Sequence, residues 1–178
     1  MAFSKFLGSP YLLNSHYTKE QPTTIKYESG SYEVLDDTTE EESGDISSLP
    51  INTSLGSHDL EMSLEDNGEG GKRLFLSQDG GDSDVEFNWI RTVDLSDYDT
   101  LKIYVTDTGG STGRDPGSNR RLALLRIDGT IEHEGGVDDG ELDIDVSGYS
   151  GEVEIKLGLF NGGSSHGHEV TWDEMRLE

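Results

Sequence analysis

The segment His166-Gly167-His168-Glu169 sets two imidazoles two residues apart beside a carboxylate. On extended backbone both rings fall on one side, a spacing that can ligate a transition metal; the competing reading is a polar loop between strands. A second constellation is Asp79-Gly80-Gly81-Asp82-Ser83-Asp84, where Asp82 and Asp84 can offer oxygens to Ca²⁺, because a hard cation collects carboxylates on a tight turn. With 37 acidic residues in 178, such clusters also arise by chance, and a solvated hairpin turn is the alternative. Asp138-Asp139-Gly140-Glu141 is a weaker case of the same kind. Gly68-Glu69-Gly70-Gly71-Lys72 lacks the frame, the following Ser or Thr and the helix of a phosphate loop. Without Cys, thiolate catalysis, Cys-ligated zinc, iron–sulfur clusters and disulfides are excluded. No nucleophile, base and oxyanion holder stand out together, so the chain is expected not to be an enzyme and to require no cofactor.

These residues sit in an unusual solvent problem. Lys and Arg number 13, and the net charge is −24. Phosphate backbones and anionic lipid surfaces need clustered cations, so the charge argues against nucleic acid as a partner and against membrane insertion. No apolar run approaches the ~18–20 residues that cross a bilayer. Lys5, Gly8, Ser9, Pro10 and Asn14 interrupt the N-terminus before a signal-peptide core forms, which predicts synthesis in the cytoplasm. Carboxylates at this density repel one another unless salt screens them, and the composition reads as halophilic; Ca²⁺ loading is the alternative. Arg114, Arg120 and Arg121 form the one basic concentration, suited to carboxylates of a neighbouring subunit or of the same chain.

The elements that must position these groups are strands. Leu60/Met62/Leu64, Leu74/Leu76, Val85/Phe87/Trp89, Leu101/Ile103/Val105, Leu142/Ile144/Val146 and Val153/Ile155/Leu157/Leu159 alternate with polar residues. Leu122 to Ile127 is apolar on both faces, as in a covered strand. Val170 to Leu177 keeps one apolar face only if its phase slips, which predicts a β-bulge at Asp173-Glu174. Eight strands punctuated by Gly-rich turns predict an all-β, two-sheet antiparallel β-sandwich, best fitted by a jelly roll, with a surface loop from Thr106 to Arg120. If it presents a binding face, outward positions of the middle strands carry it: Asn88 between Phe87 and Trp89, and Tyr104 between Ile103 and Val105.

Residues 1–45 form a separate zone: an extended N-terminal arm, a hairpin around Glu28 to Ser31, and an acidic linker from Asp36 to Asp45; the domain is expected to occupy 46–178. The arm carries Phe3, Phe6, Leu7, Tyr11, Leu12 and Leu13, which either fold back on their own domain or dock on another subunit.

Val93 to Leu101 with its strand to Val105, and Ile144 to Gly151 followed by Val153 to Leu159, resemble the galactose-binding-like jelly roll of carbohydrate-binding modules: an Asp-Leu/Val-Ser turn leads into a strand, and the closing strand carries an aspartate. The resemblance covers about residues 46–178. It implies a host or extracellular glycan as ligand, and a structural Ca²⁺ for which Asp173 would inherit a ligand role. The whole-chain pattern resembles a structural protein of a haloarchaeal tailed virus. It implies a non-enzymatic, homo-oligomeric decoration, turret, fibre or tail component, located on the virion and tethered through its arm to other virion proteins.

Overall fold

The computed structural model describes residues 22–36, 39–46, 60–68, 71–79, 84–107, 121–135, 140–162 and 167–178. The described strands are β1 (Thr23–Ile25), β2 (Ser31–Asp36), β3 (Thr39–Asp45), β4 (Leu60–Asp66), β5 (Lys72–Gln78), β6 (Asp84–Asp94), β7 (Thr100–Asp107), β8 (Arg121–Ile127), β9 (Thr130–Gly135), β10 (Gly140–Asp145), β11 (Glu152–Gly162) and β12 (His168–Leu177). One sheet has the order β10-β7-β12-β5-β4, with β1 also paired to β12; the other has the order β3-β2-β6-β11-β8-β9. All pairings are antiparallel, so the chain is an all-β, two-sheet sandwich of the jelly-roll class.

All eight expected strands are present, and apart from Leu122 and Leu124 of β8 their apolar positions face one shared core. Leu74, Leu76, Trp89, Leu101, Ile103, Leu125, Leu157 and Trp172 are fully buried. Trp89 meets Tyr27 edge to face, with ring centroids 5.3 Å apart. The bulge is where the phase slip put it. The β12–β7 register shifts between Asp173 and Arg176, and Glu174 takes φ +26°, so Trp172 and Met175 both point inward.

The boundary at residue 45 does not follow the strands. β2 lies between β3 and β6 in the interior of one sheet, β1 pairs with β12 in the other, and Ile25, Tyr27, Tyr32 and Val34 are buried in the common core. The stretch from Asp36 to Asp45, expected to be a linker, contains edge strand β3: its backbone pairs with β2 while Glu40 and Glu42 stay in solvent. A strand at a sheet edge can be acidic because burial on neither face is required of it. Nor do residues 28–31 form a hairpin; they carry the chain from β1 in one sheet to β2 in the other. Gly30 makes that crossing at φ +134°, where a Cβ would collide with the Ile90 carbonyl.

Asp94-Leu95-Ser96 and Asp145-Val146-Ser147 close two matching turns. Ser96 gives Asp94 Oδ1 its backbone N–H at 3.0 Å and its hydroxyl at 2.7 Å; Ser147 does the same for Asp145 at 3.0 and 2.6 Å. Leu95 and Val146, between them, are fully buried. The Ser96 backbone N–H and then its hydroxyl hold the Asp94 carboxyl below the usual range, and the Ser147 hydroxyl and then its N–H do so for Asp145. A depressed native pKa gives stability that is present above the ordinary Asp value and is lost as pH falls below it, through the lowered native value. Asp145→Asn is therefore expected to lower the melting temperature at pH 7, with the difference from wild type shrinking on acidification. A difference that grows at acid pH would refute this assignment.

Candidate functional site

Strand order places β2, β6, β11 and β8 side by side, so the odd-numbered residues of β2 and the even-numbered residues of β6, β11 and β8 build one outer face. Register sets Glu33 opposite Asn88, Asn88 opposite Gly158 and Gly158 opposite Leu124; the neighbouring rows hold Leu35, Glu86, Phe160 and Leu122, and Ile90, Lys156 and Arg126. The centre of this face is shielded: Asn88 is fully buried, and Glu33, Leu122 and Leu124 are also buried. Leu122 and Leu124 lie outside the core cluster, which explains why β8 is apolar on both sides.

Four charged groups are fixed on this floor. Arg126 donates to Glu86 through two nitrogens, at 3.1 and 3.0 Å. Lys156 Nζ lies 2.6 Å from Glu33 Oε1 and 3.4 Å from Glu154. Asn88 links the two pairs, its amide nitrogen donating to Glu33 at 3.2 Å and to Glu86 at 2.9 Å. Burial alone would lower the Lys156 pKa, but the hydrogen bond and charge of Glu33, with Glu154 behind it, outweigh that and raise it. A cavity of about 350 Å³ opens over these groups, lined by Glu33, Leu35, Asp84, Glu86, Arg126, Lys156 and Phe160.

The absence of a side chain at Gly158 is what lets Asn88 occupy the centre, since a Cβ there would collide with Asn88 Oδ1 and lie 3.2 Å from the Phe87 carbonyl. Gly158→Ala is expected to cost about 1–3 kcal/mol by overpacking, read from denaturant unfolding. An unchanged midpoint would mean that Asn88 swings aside freely.

The expected site residues do not form one site. Asn88 belongs to this face but is buried and serves as its bridge; Tyr104, 44% exposed, stands on the outside of the opposite sheet, opposite Glu141 and Asp173. One sandwich has two outsides, and outward phase on separate strands cannot say which a residue shares. Asp84 lies at the rim of the cavity, whereas Asp82 lies outside the described residues, as do Arg114, Arg120, His166 and Phe3, Phe6, Leu7, Tyr11, Leu12 and Leu13. Arg121 is buried and donates to the Gly167 carbonyl at 2.8 Å, and buried His168 faces the interior opposite Gln78. Of the loop expected from Thr106 to Arg120, Thr106 and Asp107 belong to β7, and residues 108–120 lie outside the described residues.

At the bulge, Asp173 Oδ1 accepts from Asn67 Nδ2 at 3.2 Å and from the Glu174 N–H at 2.8 Å. Burial first, then the charges of Asp173 and Glu174, push the nearby Tyr27 hydroxyl well up. Among the described residues, no three His, Asp or Glu side chains gather as a metal site. The residues that the sequence reading missed are Glu33, Glu86, Arg126, Lys156, Gly158 and Phe160. Their outward phase was visible, but their convergence depends on β2 and β11 both pairing with β6.

No protein-family model and no curated protein matches the sequence. Among solved structures, the chain is similar to TmCBM27, a carbohydrate-binding module with specific mannan recognition: 15% identity, TM-score 0.36, 89% of this chain and 98% of that one. The CBM51-2 and INT domains of Clostridium perfringens ZmpB align at 14% identity and TM-score 0.34 over 89% of this chain and 39% of that one. Salicylyl-acyltransferase SsfX3, from a tetracycline biosynthetic pathway, aligns at 18% identity and TM-score 0.35 over 67% of this chain and 36% of that one. The chain thus spans well under half the length of the ZmpB and SsfX3 chains. At TM-scores of 0.34–0.36 these likenesses carry no argument about ligand or activity.

Proposed function

We propose that the chain is a non-enzymatic recognition module that binds a saccharide on the outer face of the β3-β2-β6-β11-β8-β9 sheet. The observation that carries this reading is the cavity in which Phe160 and Leu35 stand beside side chains already locked by Glu33–Lys156 and Glu86–Arg126. A sugar presents apolar C–H surface and rigidly spaced hydroxyls. A site that binds it needs some apolar lining and a few polar groups that do not have to be ordered on binding. Titration of the protein with soluble neutral polysaccharides in molar NaCl tests the reading. Phe160→Ala is expected to weaken binding about tenfold, or ~1.4 kcal/mol, and Tyr104→Ala to leave it unchanged. The reverse pattern would move the site to the opposite sheet and refute the assignment.

A second reading concerns where the module is used. Phe3, Phe6, Leu7, Tyr11, Leu12 and Leu13 concentrate apolar surface at one end of a chain of net charge −24. We propose that they tether it to other proteins of a haloarchaeal virion, in several copies, with the sandwich facing outward. Ca²⁺ at Asp173 remains a proposal of the family resemblance.

A further inference from the structure

The cavity over β2, β6, β8 and β11 supplies donors and acceptors unevenly, and we infer that it selects sugars by positive charge and donated hydrogen bonds. A sugar bearing a protonated amine binds ahead of its neutral analogue, and the neutral sugar ahead of its uronate. This inference deepens the saccharide reading and rests on it.

Each donor side chain on the floor is already held against a carboxylate. Arg126 places Nε and an Nη on Glu86, Lys156 places Nζ on Glu33, and the Asn88 amide bridges both carboxylates. Drawing Arg126 or Lys156 onto an anionic ligand would leave a largely buried carboxylate without its partner, a heavily penalised exchange. The acceptor side has capacity left. Both hydrogen bonds to Glu33 fall on Oε1, so neither uses Oε2, and Asp84 brings a further carboxylate to the rim. Glu33, Asp84 and Glu86 outnumber Arg126 and Lys156 in the lining, within a chain of net charge −24. The local and global fields therefore have one sign: they attract an ammonium group and repel a carboxylate. Hydroxyls suit either role, donating to the carboxylates or accepting the remaining N–H groups of Arg126, which places neutral sugars in between.

The test uses matched triplets of hexose, hexosamine and hexuronate in the gluco, galacto and manno configurations. Each sugar is displayed on a neutral polymer and titrated against the full chain at pH 6, in 0.5 and 2 M NaCl. In whichever configuration binds, the amine is expected to exceed the neutral sugar by roughly three- to fivefold, the range of a partly exposed charge pair. The uronate is expected to bind least at both salt concentrations, because Arg126 and Lys156 stay held by largely buried carboxylates when bulk charge is screened. Asp84→Asn, which removes a rim carboxylate outside the paired network, should shrink the ratio of amine to neutral-sugar affinity toward one. Glu33→Gln should in addition raise uronate binding by releasing Lys156; unfolding curves are recorded for both variants so that loss of fold is told apart from loss of binding. A preference for the uronate, or equal affinity across a triplet, would overturn the charge selection while leaving the saccharide reading standing. Failure of all nine sugars and of the neutral polysaccharides would end both.

Discussion

Deleting residues 1–35 is expected to abolish the fold, while deleting residues 1–21 leaves a cooperative, folded sandwich. The longer truncation removes β1 and almost all of β2, and with them Ile25, Tyr27, Tyr32 and Val34, each no more than 7% exposed. Burial of each such side chain contributes about 1.5–3 kcal/mol. Four together rival the ~5–15 kcal/mol by which a domain is stable. The loss is not confined to side chains: β2 is the strand between β3 and β6, so its removal strips β3 of its partner and uncovers a hydrogen-bonding edge on β6. Tyr27 also supplies the ring against Trp89. Circular dichroism and thermal melts of the two truncations separate the outcomes. A native-like melt after removal of 1–35 would show that the first two strands are dispensable. Loss of particle incorporation after removal of 1–21, with folding intact, is the result that the tether requires.

The second large effect is salt. With a net charge of −24 on 178 residues, most carboxylates have no cation available to them, and the ion pairs that do form are largely at the surface, such as Lys72–Asp66 at 2.6 Å and Lys102–Asp143 at 3.4 Å. Exposed pairs of this kind contribute little and are themselves weakened by salt. Repulsion among the remaining acids dominates, and its range contracts from about 30 Å at 0.01 M to about 3 Å at 1 M ionic strength. The melting temperature is therefore expected to rise by more than about 10 °C between 0.05 and 2 M NaCl. Millimolar Ca²⁺ at low NaCl should not substitute for it. A melting temperature independent of NaCl, or full rescue by Ca²⁺, would refute bulk screening as the stabiliser.

The two effects show where local pattern suffices and where it does not. Period-two alternation identified β4 to β7 and β10 to β12 because a strand with one buried face must place apolar residues at every second position, whatever its neighbours; β8 was legible instead as a run apolar on both faces. The bulge followed from the same rule: Trp172 and Met175 can both face the core only if one residue is added between them. β9 was missed although Asp128-Gly129, both at positive φ (48° and 79°), is a dipeptide suited to a tight hairpin turn. Its strand, Thr130–Gly135, buries little and so shows no apolar stripe.

β3 was misread for a related reason. An edge strand that keeps Glu40, Glu42 and Asp45 in water looks by composition like a linker; only its backbone pairing with β2 makes it a strand. The candidate site lies further still from local pattern. Glu33, Asn88, Gly158 and Arg126 are separated by up to 125 positions along the chain and meet only because β2 and β11 flank β6, with β8 beyond. Residue type and phase determined which positions point away from the core. Strand order alone decided which of the two outer faces each one joined, since order is a property of pairings between distant segments and leaves no trace in any one of them.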